Sequence, residues 1–158
     1  MSVKYKALGL LVVSFAAGCG GSGGSGGAAG NEVIDVGGVG ASTTVSSSKK
    51  VDVYVSGSGN SVTIESDVGL LDVGGQDHTL VIEDGVKVDS YVVTGVRNTA
   101  NFTSDLESLD VSGLEHNIVF SDGLTVESCT VSGEGHTATR EGTLTMSCEV
   151  SGSNHSGF

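Results

Sequence analysis

The run Val53-Tyr-Val-Ser-Gly57-Ser-Gly-Asn60-Ser-Val-Thr-Ile64 consists of two short apolar alternations hinged on a glycine and an asparagine. The same hinge returns at Gly75/His78, Gly95/Asn98, Gly113/His116, Gly133/His136 and Gly152/His155, with a fainter copy at Gly38/Ala41. From Gly38 to Gly152 the hinge glycines lie 19, 18, 20, 18, 20 and 19 residues apart. A fixed period of this length marks one supersecondary unit stacked about seven times, because a single such unit cannot bury its own apolar face.

Counting outward from each hinge glycine exposes columns. Two residues before it stand Val36, Val55, Val73, Val93, Val111, Val131 and Val150, valine in every copy. Four before it stand Ile34, Val53, Leu71, Tyr91, Leu109, Cys129 and Cys148, and the residues between the two columns are mostly polar. Alternation with a period of two predicts a strand whose valine face turns inward. A second alternation after the hinge points Val62/Ile64, Leu80/Ile82, Ala100/Phe102 and Ile118/Phe120 inward, with Thr63 and Asn101 outward. A third apolar group follows an acidic turn at Val68/Leu70, Val86/Val88, Leu106, Leu124/Val126 and Leu144/Met146. The 18- and 20-residue periods differ in that turn, Ser66-Asp67 against Glu83-Asp-Gly85.

Three short strands per 18 to 20 residues, with no helical pattern between them, resemble a coil of a parallel β-helix. The expected fold is all-β, a β-solenoid of six to seven coils over residues 31–158, stacked at about 4.8 Å into a rod roughly 30–35 Å long. An antiparallel sandwich would not require every column to keep its chemistry, whereas stacking does. Composition agrees. Glycine at 26 residues without proline excludes collagen, and 37% hydrophobic residues at fixed spacing argue against disorder.

Residues 1–18 read as a signal peptide: Lys4 and Lys6 precede an apolar run from Ala7 to Gly18, far short of the roughly 20 residues a spanning helix needs. The run ends in Ala16-Ala-Gly-Cys19, which resembles the lipobox of bacterial lipoproteins, with Ala16 where leucine is usual. That resemblance implies cleavage before Cys19 and its acylation, placing the protein on the bacterial membrane. Residues 19–30 then form the lipidated cysteine and a glycine/serine tether with a reach of roughly 17–20 Å. Gly20, which is not the aspartate of an inner-membrane retention signal, leans the location towards the outer membrane or cell surface.

The net charge is −12, and removing Lys4 and Lys6 with the signal leaves five bases against 19 acids, or −14. Such a charge repels nucleic acid and anionic headgroups, so nucleic-acid binding is excluded. All four histidines share one column, with Asn60 and Asn98 at the same position. His116, His136 and His155 would come from adjacent coils, which raises a metal ladder. The stronger reading is conformational: Asn and His tolerate a left-handed backbone, and asparagine replaces a turn residue better than a metal ligand. The twelve hinge positions of the six strong copies, from Gly57/Asn60 to Gly152/His155, are therefore read as structural turns. Cys129 and Cys148 stand on adjacent coils within disulfide reach, in an exported setting that permits the bond; two buried thiols are the other reading.

The acidic turns raise calcium, and Gly74-Gly-Gln-Asp77 faintly resembles the calcium-binding β-roll nonapeptide, but the nine-residue period is missing. Glycan-active β-helices cluster acids with bases or aromatics, whereas Lys87, Arg97 and Arg140 lie in different columns and Tyr91 is expected inward. The repeated Gly-Ser-Gly-Asn-Ser-Val-Thr-Ile motif resembles an uncharacterised family of bacterial secreted proteins and lipoproteins with G-x-G-N-x-V repeats. The resemblance covers about residues 51–155 and implies a solenoid and export without an activity; the cytoplasmic bactofilins are similar in architecture but lack a lipobox. The expected function is a lipid-anchored, non-enzymatic structural or binding module of the envelope, without cofactor. Its expected contacts are the membrane and an envelope protein or glycan. A glycan-binding or glycan-processing solenoid and an end-to-end assembling subunit are the alternatives.

Overall fold

The computed structural model describes residues 30–158; the expected signal peptide, Cys19 and nearly all of the tether lie outside them. The first strands are β1 (Glu32–Val36), β2 (Ser42–Val45), β3 (Val51–Val55), β4 (Ser61–Ile64), β5 (Val68–Val73), β6 (Thr79–Ile82) and β7 (Val88–Val93). They continue as β8 (Thr99–Phe102), β9 (Leu106–Val111), β10 (Asn117–Phe120), β11 (Leu124–Val131), β12 (Thr137–Arg140) and β13 (Leu144–Val150). Odd-numbered strands form a seven-stranded parallel sheet and even-numbered ones a six-stranded parallel sheet, each in chain order. The chain is a β-solenoid of about six turns.

The columns are in register. Ile34, Val53, Leu71, Tyr91, Leu109, Cys129 and Cys148 pair in sequence down the larger sheet. Val53, Leu71, Val73, Val93, Val111 and Val131 are all fully buried. In the smaller sheet, Ile64, Ile82, Phe102 and Phe120 close the core from the other side. Phe102 and Phe120 stack with ring centroids 5.9 Å apart, and Tyr91 meets the edge of Phe102 at 5.0 Å. Tyr91 is inward as expected, but its buried hydroxyl has no partner, and burial pushes its pKa up.

The third apolar group does not form a separate strand. Val68, Val88, Leu106 and Leu124 open the same strands that end at the hinge valines, so each full turn has two strands and a corner. Register shifts at Val51/Asp52 and at Val126/Cys129 absorb that bend. Leu70 pairs with Asp52 and Ser90 and is half-buried, unlike the inward Val68. The longer coils take up their extra residues in the acidic turn, where Gly85 and Gly123 have φ of 83° and 80°.

Candidate functional site

The hinge glycines do what their recurrence implies. Gly95 has φ +91°, and a Cβ there would collide with the carbonyl oxygen of Gly75 one coil away. Backbone packs directly on backbone, with Val96 donating to the Gly75 carbonyl at 2.9 Å. Only glycine fits that approach.

The Asn/His column needs correction. The left-handed residues stand one position earlier: Gly59, Asp77, Arg97, Glu115, Gly135 and Asn154 have φ between 53° and 75°. Asn60, His78, Asn98, His116, His136 and His155 are not left-handed. The turn rotates their side chains inward instead, and the first five are at most 1% exposed.

There they build a ladder of one repeated bond pair. Asn60 Oδ1 accepts from the Ala41 amide at 2.9 Å, and His78 Nδ1 accepts from the Asn60 amide at 3.1 Å. Asn98 Oδ1 takes the His78 amide at 2.9 Å, and His116 Nδ1 the Asn98 amide at 3.1 Å. His136 and His155 continue it, accepting from the His116 and His136 amides at 3.1 and 3.3 Å. On the far side each side chain donates to the carbonyl four residues back in its own coil. Asn60 and Asn98 use Nδ2, to Ser56 and Thr94, both at 2.9 Å. The histidines use Nε2, to Gly74 (3.0 Å), Ser112 (2.8 Å), Ser132 (2.7 Å) and Ser151 (2.9 Å).

Asparagine and neutral histidine are interchangeable here because each carries one acceptor and one donor about the same distance apart. The bonds fix every ring as the Nε2–H tautomer, since Nδ1 must accept. His116 and His136 stack with centroids 4.9 Å apart and 4° between planes, and His136 and His155 at 5.0 Å. Burial lowers the His116 pKa to about 4 and lowers that of His136 as well. With both ring nitrogens in backbone bonds, no lone pair of His116 or His136 faces a metal ion. No group of three metal-capable side chains forms among the described residues.

Cys129 and Cys148 are joined in a disulfide across adjacent coils, with Cα atoms 4.4 Å apart. The sequence also concealed a buried carboxylate. Asp52 is 1% exposed; one oxygen accepts from Asn31 Nδ2 at 2.8 Å and from the Leu70 amide at 3.0 Å, and the other has no partner. Gly69 makes room for that pair, because a Cβ there would strike both side chains. A buried aspartate between two inward valines, Val51 and Val53, breaks the alternation and marks the bulge, a signal present in the sequence but masked by the hinge pattern.

An open cleft of about 470 Å³ lies at the acidic corner, where Lys87, Asp89, Asp105, Glu107 and Glu127 surround Leu106 and Leu124. Asp89 pairs with Lys50. Two of the cleft's three hydroxyls bond the backbone, Thr103 to the Glu83 carbonyl at 3.3 Å and Ser104 to that of Val86 at 2.5 Å. Neither is set beside a base that would activate it. Arg97 is held away from the cleft, forked onto Asp77 at 2.8 and 3.0 Å. Comparison with protein-family models, with curated proteins and with solved structures gives no match.

Proposed function

We propose that the protein is a lipid-anchored binding or structural module of the bacterial envelope, held by an acylated Cys19 and presenting the solenoid at the end of a flexible tether. The carrying observation is the assignment of its reactive side chains. His78, His116, His136 and His155 are spent on the internal ladder, and Cys129 and Cys148 on a disulfide. A fold that uses its best general bases and nucleophiles as girders leaves its outer faces as the functional surface. The disulfide fits an oxidising compartment outside the cytoplasm, and the lipobox-like Ala16-Ala-Gly-Cys19 supplies the anchor.

Cys19→Ala tests the anchor: the expected result is loss of fatty-acid labelling and release from the membrane fraction, and retained labelling overturns it. The acidic cleft around Asp105 favours a second reading, glycan binding or processing. Release of reducing sugar from any envelope polymer, abolished by Asp105→Asn, would replace the first reading with that one. End-to-end assembly has less behind it. Down the outward file Asp35, Tyr54, Asp72, Val92, Asp110, Thr130 and Glu149, acids alternate with neutral residues. A second copy stacked head to tail would set Asp35 against Glu149 and Ala41, which has no side-chain acceptor, against the His155 amide.

A further inference from the structure

Two adjacent files on the outer face of the six-stranded sheet carry no charge, and Glu65, Glu83 and Glu141 bound them at the acidic corner. The first file is Ser42, Ser61, Thr79, Thr99, Asn117 and Thr137, and the second is Thr44, Thr63, Val81, Asn101, Val119 and Thr139. None of these residues is charged, in a chain of net charge −12 whose other sheet carries Asp35, Asp72, Asp110 and Glu149 outward. The pairing runs without the register shifts that bend the larger sheet. The two files therefore repeat on a grid, about 4.8 Å from strand to strand and about 6.6 Å along each strand.

We propose that this face binds the surface of ice. An ice plane is an uncharged, periodic lattice of hydroxyl donors and acceptors, and recognition requires a face that holds water in lattice order. A charged side chain gathers water radially about itself and breaks that order, so exclusion of charge here is the complementarity the ligand demands. Serine and threonine hydroxyls fix single waters, while the methyl groups of threonine and valine force the water between them into cages rather than competing for its bonds. Valine and threonine are stiff at χ1 and the strands are locked in register, so the array meets the lattice with little conformational entropy to lose. The face carries no aromatic ring for stacking a sugar; Tyr91, Phe102 and Phe120 are all buried in the core. This inference concerns the solenoid alone and does not rest on the lipid anchor.

The test uses residues 30–158, which contain the buried core formed by the described residues. The protein is mixed with slowly growing ice, the fraction captured is measured, and crystal habit is followed near the melting point. The parent is expected to concentrate in the ice and to facet the crystals. Thr79→Tyr, placing a bulky ring on an exposed mid-face position, is expected to reduce capture about tenfold, as loss of a central contact does. Thr63→Lys, adding a charge to the second file, serves if Thr79→Tyr does not fold. Thr130→Tyr on the opposite sheet is expected to leave capture unchanged. Exclusion of the parent from ice overturns the proposal, and so does capture indifferent to both face variants. Binding to crystalline cellulose or chitin, or a dimer in sedimentation, that Thr79→Tyr abolishes without any ice effect also overturns it and reassigns the face to a polysaccharide or a second copy.

Discussion

At His78 the ladder sets a chemical requirement that side-chain size does not. The position must offer an acceptor to the Asn60 amide and a donor to the Gly74 carbonyl, both buried. His78→Asn keeps both functions, and the neighbouring coils already use Asn60 and Asn98 that way; its expected cost is below about 1 kcal/mol. His78→Leu preserves volume and apolar character but orphans two backbone groups, for an expected loss of about 2–5 kcal/mol. Urea denaturation of the two variants reads the difference directly, and equal costs would show that the ring acts by packing alone. The position was legible in the sequence as a column, and its role was not. Asparagine and histidine suit both a left-handed turn and a buried donor–acceptor pair, so identity alone did not separate them. The separating clue lay one residue earlier: Gly40, Gly59 and Gly135 are the stronger left-handed signature, and the Asn/His column of the strong copies never holds glycine.

At the scale of the turn, two neighbouring left-handed positions answer to different forces. The hinge glycine is fixed by close approach of the coil before it, whereas the second position is open enough for Asp77, Arg97 and Glu115. Gly95→Ala puts a methyl group into the Gly75 carbonyl at φ +91°, and is expected to cost at least about 3 kcal/mol or to prevent folding. Glu115→Gly removes left-handed strain without removing a core contact, and is expected to be neutral or to stabilise by up to about 1 kcal/mol. A large loss for Gly95→Ala with none for Glu115→Gly in thermal melts would confirm that the hinge position is steric and the second merely conformational. Strands were readable from the sequence because burial on a two-residue period leaves an unambiguous trace in the valine columns. The corner between acidic turn and hinge was less so. A bend absorbed by a register shift keeps both flanks apolar, as at Val68 and Leu71, and so looks like two strands rather than one.

For the whole rod, the ladder has a direction in composition. Near the first coils Asn60 and Asn98 alternate with His78, whereas His116, His136 and His155 run unbroken towards the other end. Protonation of a ring at Nδ1 turns its acceptor into a donor facing a backbone donor, and in the histidine run it also stacks like charges 4.9–5.0 Å apart. Because burial holds His116 and His136 below the free imidazole value of 6.5, the unfolded chain binds more protons than the native one as pH falls. The neutral-ring contribution is thus complete above pH 6.5 and is lost as pH drops towards about 4, the His116 value; that ring accounts for about 1–3 kcal/mol after allowance for screening. Burial raises the Asp72 carboxyl towards this window, whereas two others are held below it. The hydrogen bond from Arg97 holds the Asp77 carboxyl below 3.8, and the Thr143 amide does the same for Asp122. The Cys129–Cys148 bond closes a 19-residue separation where the ladder is all histidine, and such a cross-link adds about 3 kcal/mol where acid takes most away. Acid softening should therefore be polar along the rod and sharpest once the disulfide is reduced. Amide exchange at pH 5 against pH 7, corrected for intrinsic rates, is expected to accelerate at Asn98, His116 and His136, whose amides donate to imidazole. The Asn60 amide, which also donates to an imidazole, is a fourth such site near the asparagine end, and Ala41 and His78, whose amides donate to asparagine, should stay protected. Uniform acceleration at all of these amides would mean that the rod loosens as one body and that the ladder's composition does not set its acid response.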